Sequence, residues 1–268
     1  MIDEAEPTSN GLEKEDELIR LKRELAQSHK QLAQTQHRKS SLLAMAAHDL
    51  RTPLAIIQGF AQLLEGELGA NDNSTVTEYI TNILAHSDSL GHMIENLVAL
   101  DQIESGRLRL SAATCNLNEL VEFALAQVEG LLKVKNLTIA YHEAYIPAWV
   151  EVDEHQIQRA LYNLLSHVNK YARPGTQLQV NIEREDAFYR VQLLDPQRQL
   201  PAEMLSRLFD LADMNHEGLI SLRGMDLGLV FARYVAEQHS GRVAATCAAG
   251  YGMSLALYLP VSASRLSN

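Results

Sequence analysis

Apolar residues recur every three or four positions along the first third of the chain, which is the spacing of one face of an α-helix. The pattern starts near Glu13, where leucines separated by charged residues over about two heptads predict a short helical lead. A solvated helix with one apolar edge is the alternative for this lead. The pattern strengthens between residues 43 and 68. The apolar positions of the two segments are Leu18, Leu21, Leu25, Leu32, Leu43, Ala47, Leu50, Leu54, Ile57, Ala61, Leu64 and Leu68.

A break at residues 69–75 ends this helix and supplies an N-cap for the next one, because it contains glycine, asparagine, aspartate and serine. The second helix ends near Gly106. Two long helices joined by a tight turn form a hairpin whose apolar face a single copy cannot bury. We therefore expect a homodimer, with two hairpins pairing as an antiparallel four-helix bundle. We expect the second helix to bury Ile80, Ile83, Leu90, Ile94 and Leu97 in this bundle.

After Gly106 the pattern changes to short alternating segments mixed with amphipathic helices. The arrangement lacks βαβ regularity, so it favours an α+β sandwich with helices on one face of the sheet. The predicted helices are residues 117–133, 153–171 and 225–239. The predicted strands are residues 107–110, 137–142, 149–152, 178–184, 189–194, 242–247 and 253–259.

Charge and composition narrow the possible roles of the chain. Its 268 residues carry a formal net charge of −11, which argues against nucleic acid as a partner, because binding phosphates needs clustered Lys and Arg. No apolar run approaches the length that crosses a bilayer, and the acidic, polar start is unlike a secretory signal. The spacing of Cys115 and Cys247 suggests neither a zinc site nor a redox pair. We expect a cytoplasmic protein with a disordered lead over residues 1–13.

One short segment of the first predicted hairpin helix carries the candidate chemistry. It contains His48, Asp49, Thr52 and Pro53. His48 lies at the edge of the apolar stripe, which predicts an imidazole exposed to solvent. Neutral imidazole is a competent nucleophile near neutral pH. Asp49 is suited to orient the ring and act as a general base, and Thr52 to position a water. Pro53 cannot donate to the carbonyl of Asp49, which loosens the helix there.

These residues and the hairpin around them resemble a known family. Residues 39–107 resemble the HisKA-type dimerisation and phosphoacceptor domain of two-component sensor histidine kinases. Residues 114–262 resemble the GHKL-type ATP-binding domain of that family, and residues 1–38 are left as the lead. The resemblance implies that ATP phosphorylates His48, which then passes the phosphoryl group to an aspartate on the receiver domain of a response regulator. It also implies a reverse, phosphatase-like activity that uses Asp49 and Thr52.

The resemblance further implies cofactors, ATP and Mg²⁺, and the residues that bind them. The chain matches the family motifs in three places. These are the predicted helix at residues 153–171, the segment just after the predicted strand at residues 189–194, and the turn before the predicted helix at residues 225–239. Gly250 and Gly252 match the last glycine motif, for which an ordinary turn is an equally good interpretation. The implied nucleotide residues are Asn163, Lys170, Tyr171, Asp195, Gly224 and Gly228, and Phe209 matches a family aromatic.

Four residues depart from those motifs. His167 stands where the family has the asparagine that helps to hold magnesium, and imidazole is a poor ligand for a hard cation. Gln197 and Gln199 replace two glycines, so we expect them to crowd the pocket. Asp226 replaces the middle glycine of the phosphate turn. A carboxylate about 4 Å from a phosphate charge costs on the order of 4 kcal/mol at an effective dielectric constant near 20.

These departures leave three hypotheses open. The first is a histidine kinase phosphorylated on His48. The second is a pseudokinase, a dimeric phosphotransfer, phosphatase or adaptor module with weak or no use of ATP. The third is a structural dimer that sequesters a regulator, which the whole His48 motif disfavours. A separate sensor protein is a possible partner of the N-terminal helix. His86, His92 and His239 have no metal-ligand grouping, so we expect surface or capping roles and no metal site among them.

Overall fold

The chain divides into two units, residues 1–43 and residues 44–268, and each is described by itself. In the first unit, residues 20–30 form an exposed helix in which Arg20 Nε lies 3.0 Å from Glu24 Oε1. The predicted helical lead is confirmed for those residues, whereas the predicted disordered lead lies outside the described ones. The computed structural model describes residues 20–30, 46, 50–64, 73–104, 107–209 and 226–262.

Two helices begin the second unit, as the sequence predicts. Helix α1 is described over residues 50–64, and helix α2 spans Asn73–Glu104. The helices contact each other through the rings of Phe60 and Tyr79, whose centroids are 5.6 Å apart. None of the helices in the described ranges is both long and apolar enough to cross a membrane. Large apolar side chains that stay exposed on the hairpin are Leu54, Leu63, Ile80, Leu84, Ile94 and Val98.

Among the described residues from 107 onwards, the strands form two sheets. Strand β1 (Ala113–Asn116) pairs with β3 (Trp149–Val152) in an antiparallel ribbon. The larger sheet has the order β2-β4-β5-β7-β6, in which β2 and β4 are parallel and the other neighbours are antiparallel. Its strands are β2 (Thr138–His142), β4 (Gln177–Glu185), β5 (Phe188–Asp195), β6 (Arg242–Ala248) and β7 (Gly252–Pro260).

Helices follow from clear capping signals in the same region. The Asn116 side chain accepts a hydrogen bond from Asn118 N and so caps α3, and Asp153 accepts one from Gln156 N and caps α4. Four helices and the two sheets together form what we call the sheet domain. Its helices are α3 (Leu117–Val134), α4 (Glu154–Tyr171), α5 (Ala202–Arg207) and α6 (Leu227–Gln238).

Alternation along the strands decides which face of the larger sheet the helices cover. Leu178, Val180 and Ile182 are buried on β4, while the intervening Gln179 and Asn181 stay partly exposed. The buried face contacts α4 and α6, and the polar face does not need such a cover. The predicted α+β sandwich after an all-α hairpin is therefore confirmed.

One predicted strand was wrong, and two short elements were missed. Residues 107–110 do not pair with any described strand. The amides of Arg107 and Leu108 instead donate to Gln102 O, in the last turn of α2. The first strand is β1, whose short sequence alternates too weakly to stand out and which exists because β3 lies beside it. Helix α5 was also not predicted, because it is only six residues long.

Candidate functional site

The phosphoacceptor motif is described in part. His48 and Asp49 lie outside the described residues, so their predicted roles stay predictions. Thr52 is exposed, whereas Pro53 is buried. Both line a cavity of about 210 Å³ between the hairpin and the sheet domain, which places Thr52 at the junction of the two. The other described lining residues are Ile56, His86, Ser89, Met93, Leu131, Lys135, Ser166, Asn169 and Lys170.

Asn163, an expected nucleotide residue, is buried on α4 and bonded to the hairpin. Its Nδ2 donates to Asn96 Oδ1 over 3.1 Å, and Asn96 Nδ2 donates to Asn163 Oδ1 over 2.7 Å. Arg159 Nη2 also donates to Asn96 Oδ1 over 3.1 Å. Both polar atoms of the Asn163 amide therefore have a partner from α2. The structure places this residue in a contact between domains.

Gly228, in the first turn of α6, packs directly against Asn163. A Cβ added at Gly228 would lie 2.7 Å from Asn163 Oδ1, so only glycine fits that approach. The amide of Gly228 donates to Asp226 Oδ1 over 2.9 Å, and Asp226 is the N-cap of α6. Gly224, the other glycine predicted in this turn, lies outside the described residues. Asp226 thus satisfies an amide at the helix N-terminus that a phosphate oxygen would otherwise accept from.

His167 is completely buried and bonded on both sides of its ring. Nδ1 lies 3.4 Å from Asp226 Oδ2, and Nε2 lies 3.3 Å from Arg198 Nη1. Arginine can only donate, so we assign the neutral tautomer in which Nδ1–H donates to Asp226 and Nε2 accepts from Arg198. Burial lowers the pKa of His167, which agrees with a neutral ring. His167 is therefore a hydrogen-bond bridge between two charged side chains.

Asp226 is compensated inside the protein. Burial by itself raises the pKa of this carboxyl, but the hydrogen bond from His167 and the charge of Lys170 outweigh it and bring the pKa to about 2. Lys170 Nζ lies 3.7 Å from Asp226 Oδ2. The sequence predicted a negative charge directed at a phosphate group. The structure shows a carboxylate already held by an imidazole, an ammonium group and a backbone amide.

Tyr171 provides an aromatic surface for the same cluster. The Arg198 guanidinium lies 4.3 Å from its ring centroid, and Lys170 Nζ lies 5.5 Å from it. The His167 ring is 4.7 Å away. A cation is attracted electrostatically to the face of an aromatic ring, so Tyr171 stabilises the inward position of the Arg198 side chain. The structure thus brings Lys170 and Tyr171 together with His167 on α4 and adds Arg198.

The two glutamines that replace the family glycines do not enter this cluster, and their crowding of a nucleotide stays a prediction. Gln197 and Gln199 are both exposed, and Gln199 Oε1 accepts a hydrogen bond from Cys247 Sγ on β6 over 3.1 Å. The residue between them, Arg198, turns inward instead. The reason is chemical: His167 offers the guanidinium a hydrogen-bond acceptor and Tyr171 offers it an aromatic face.

Asp195 ends β5 and is almost fully buried. Its Oδ1 accepts a hydrogen bond from Gln197 N over 2.9 Å, while its buried Oδ2 has no hydrogen-bond partner. Gly252 packs against this turn with φ +89°, and a Cβ there would lie 2.1 Å from Asp195 O. A buried acceptor without a donor is rare, and it fits a ligand that offers an N–H group, as an adenine amine does.

Several residues at the junction were missed or misplaced by sequence reasoning. Asn96, Arg159 and Arg198 were not singled out. His92 was expected at the surface or at a cap, but its ring packs against Tyr162 of α4, with ring centroids 3.9 Å apart. A signal was present, since Ser89, His92 and Asn96 follow helical spacing on one face of α2. A polar stripe of that kind predicts a polar partner surface.

His239 was expected at the surface or at a cap, and the structure makes it a buried cap. It is the C-cap of α6, where Nδ1 donates to Val235 O over 2.8 Å. Its Nε2 accepts a hydrogen bond from Asp153 N over 2.9 Å. This ring therefore connects the end of α6 to the start of α4 and helps to fix the relative position of these two helices.

The side chains in this arrangement do not fit magnesium. Asn163 Oδ1 is bonded to Asn96, both carboxylate oxygens of Asp226 have donors, and an imidazole occupies the position of the second asparagine. Hard cations need free oxygen ligands. Within the described ranges, no three His, Cys, Asp or Glu side chains group as a metal site. Asp195 fits the adenine end of a nucleotide, whereas the phosphate end does not fit a metal complex.

Two family models match the chain. One, the "His Kinase A (phospho-acceptor) domain", matches residues 38–106, and the other, "Histidine kinase-, DNA gyrase B-, and HSP90-like ATPase", matches residues 152–263. The Sensor protein KdpD of Escherichia coli (strain K12) is 30% identical over 209 residues, which cover 77% of this chain and 23% of KdpD. The chain thus spans under a quarter of the length of this curated relative.

Solved structures share the fold at low sequence identity. The Acinetobacter baumannii histidine kinase AdeS has a TM-score of 0.53 and 21% identity, covering 80% of this chain and 98% of that chain. The histidine kinase ThkA, solved in complex with the response regulator protein TrrA, has a TM-score of 0.53 and 20% identity, covering 83% of this chain and 62% of that chain. At these identities the likeness shows the fold.

Proposed function

Because this chain belongs to the family of two-component sensor histidine kinases, we propose that it carries a phosphoryl group on His48 and exchanges it with an aspartate of a response-regulator receiver domain. One observation carries the proposal: the whole His48-Asp49-x-x-Thr52-Pro53 motif lies inside the phosphoacceptor match at residues 38–106. The exposure of Thr52, one helical turn after His48, supports access by a partner domain.

The proposed chemistry is a pair of displacements. A nitrogen of neutral His48 attacks the phosphorus of the donor, and the bond from phosphorus to the donor oxygen breaks. Asp49 accepts the imidazole proton and orients the ring. In the second step a receiver aspartate oxygen attacks, and the bond from phosphorus to the His48 nitrogen breaks. For the reverse activity, Thr52 positions the water that hydrolyses the receiver's phosphoryl group.

Family membership favours ATP as the donor, with Asn163, Lys170, Tyr171, Asp195, Gly224 and Gly228 as the nucleotide residues and Mg²⁺ as its companion. In the arrangement described above, however, Asn163 is paired with Asn96 and the phosphate end does not fit a magnesium complex. The orphaned Oδ2 of Asp195 supports the adenine end of this assignment. A second candidate is a pseudokinase that receives its phosphoryl group from a phosphorylated receiver. The internal pairing of Asp226 with His167 and Lys170 favours this second candidate.

The proposal includes an assembly and a location. We propose a homodimer through the exposed apolar side chains of α1 and α2, and a cytoplasmic phosphoacceptor. The proposed domain limits are residues 1–38 for the lead, 39–107 for the hairpin and 114–262 for the ATP-binding domain. The exposed helix at residues 20–30 is a proposed contact for a separate sensor protein. The matched ThkA structure holds a response regulator, which makes a receiver domain the first partner to test.

Radiolabel transfer separates these donors. The wild type, His48→Ala and the control His29→Ala, which changes an exposed histidine of the N-terminal helix, are incubated with labelled Mg-ATP or with a labelled receiver domain. Label from ATP on the wild type and the control, but not on His48→Ala, supports the kinase. Label from the receiver alone supports the pseudokinase. Absence of label from both donors, or equal label on His48→Ala, overturns the proposal.

A further inference from the structure

One face of α2 is shaped to hold the sheet domain. Ala85, Ser89, His92 and Asn96 follow steps of four, three and four residues, which places them in one row along the helix. Ala85 Cβ lies 3.8 Å from the position of a Cβ added at Gly130 on α3. Ser89 and His92 contact Tyr162 of α4, and Asn96 contacts Asn163. The row therefore touches two helices of the sheet domain over its whole length.

Asn96 is the polar centre of this contact. It is 1% exposed, its Nδ2 donates to Asn163 Oδ1, and its Oδ1 accepts from both Asn163 Nδ2 and Arg159 Nη2. Arg159 is buried and lies 4.5 Å from the ring centroid of Phe231, with Glu95 of α2 3.7 Å from its Nε. Loss of one member leaves buried groups without partners, which is costly away from water.

We propose that Asn96 is a positioning residue that latches the sheet domain onto the hairpin through Asn163. In the docked form the Asn96 and Asn163 amides pair with each other and Arg159 Nη2 donates to Asn96 Oδ1, whereas in the undocked form water replaces these three hydrogen bonds. Asn163 thus serves docking, which explains why its amide offers no free atom to a nucleotide. The latch regulates the site of the proposed function and rests on it for its biological purpose, although its test does not involve phosphoryl transfer.

Thiol labelling measures how often the contact opens. Ser89→Cys introduces a thiol into the buried row, in a protein whose Cys115 and Cys247 are changed to serine. Because Ser89 is 7% exposed, the thiol reacts when the domains separate. We expect Asn96→Ala to raise the labelling rate roughly tenfold or more, since three buried hydrogen bonds are lost. Labelling at the unchanged rate would overturn the latch.

Two further variants separate a latch from general loosening. Asn82→Ala is the matched control, because Asn82 is also buried on α2 but its Nδ2 donates to Glu78 O of the same helix. It should leave the labelling rate within twofold, and a rise as large as that of Asn96→Ala contradicts the proposal. Asn163→Ala should reproduce the rise, and the double variant Asn96→Ala/Asn163→Ala should label no faster than either single variant. Multiplying effects would show that the two residues act independently.

A disulfide tests the docked geometry directly. The separation of 3.8 Å between the Ala85 and Gly130 Cβ positions is typical of disulfides. Ala85→Cys/Gly130→Cys should therefore cross-link within one chain, also in a His48→Ala background, and should suppress labelling at residue 89. Absence of that cross-link overturns the docked geometry. If labelling and cross-linking behave as expected while His48 never accepts phosphate, the proposed function fails and the latch stands.

Discussion

Gly228 and Asn163 lie so close that a methyl group on Gly228 would stand 2.7 Å from Asn163 Oδ1. The first turn of α6 therefore packs against the Asn163 side chain, which is hydrogen-bonded to Asn96 of α2. A glycine of the phosphate turn and an asparagine of the nucleotide helix are used here for packing between domains. The effects of substitutions at Gly228 and Asn163 on the free energy of unfolding should therefore not be additive.

Gly228→Ala should lower the free energy of unfolding by roughly 1–3 kcal/mol, because the added methyl overpacks a buried contact. In an Asn163→Ala background the same change should cost clearly less, since the clashing oxygen is absent. Urea denaturation of the four proteins measures this coupling. Gly91→Ala on α2 is the control, because its Cβ meets no atom within 4 Å, and it should stabilise by up to about 1 kcal/mol. Equal costs in both backgrounds would contradict the contact.

His167 should make stability fall on mild acidification. Burial lowers the pKa of its imidazole below the usual 6.5, and Arg198 and Lys170 lower it further while Asp226 opposes them. Below about pH 6.5 the unfolded chain then binds a proton that the folded protein does not, so stability decreases as the pH falls. The advantage of the wild type over His167→Gln should shrink from about pH 7.5 to about pH 5.5. Chemical denaturation at each pH tests this, and a growing advantage would contradict the neutral ring.

Restoring the family residues should improve nucleotide binding. His167→Asn with Asp226→Gly removes the imidazole bridge and the charged cap, so Mg-ATP affinity should rise at least tenfold, within the limit of about 4 kcal/mol set by the charge term. The double variant should also lose about 1 kcal/mol of stability with the α6 cap. Asp186→Gly, which removes an equal charge at a distant turn with φ +54°, is the control for titration calorimetry. Unchanged affinity would show that the internal network is not the obstacle.

The exposed apolar stripe of the hairpin should mediate dimer formation. Leu84 is 58% exposed on α2, and burying a charge in its place would oppose helix pairing, so Leu84→Glu should yield monomers. Ile146→Glu is the matched control, because Ile146 is also 58% exposed but lies in a loop of the sheet domain. Sedimentation equilibrium distinguishes the outcomes. A monomeric wild type, or equal dissociation in both variants, would remove the predicted bundle.

The amino-acid sequence by itself determined the described helices other than α5, the described strands other than β1, and the class of fold. Periodicity of 3.6 or 2 residues is a local property, and it located α2, α3, α4, α6 and the strands of the larger sheet. The His48 motif likewise depends on spacing within one turn of helix. The matches of Asn163, Lys170, Tyr171 and Asp195 to family motifs were also read from linear order.

Only the tertiary structure decided what those motif residues touch. Asn96 and Asn163 are 67 positions apart, and His167 and Asp226 are 59 apart, so no local pattern predicts either pair. Arg198 turned inward because His167 and Tyr171 meet there, which linear order does not show. Residues 107–110 failed as a strand for a similar reason, since a strand requires a partner that the fold must supply. Local sequence sets which elements form, and packing sets which polar groups satisfy one another.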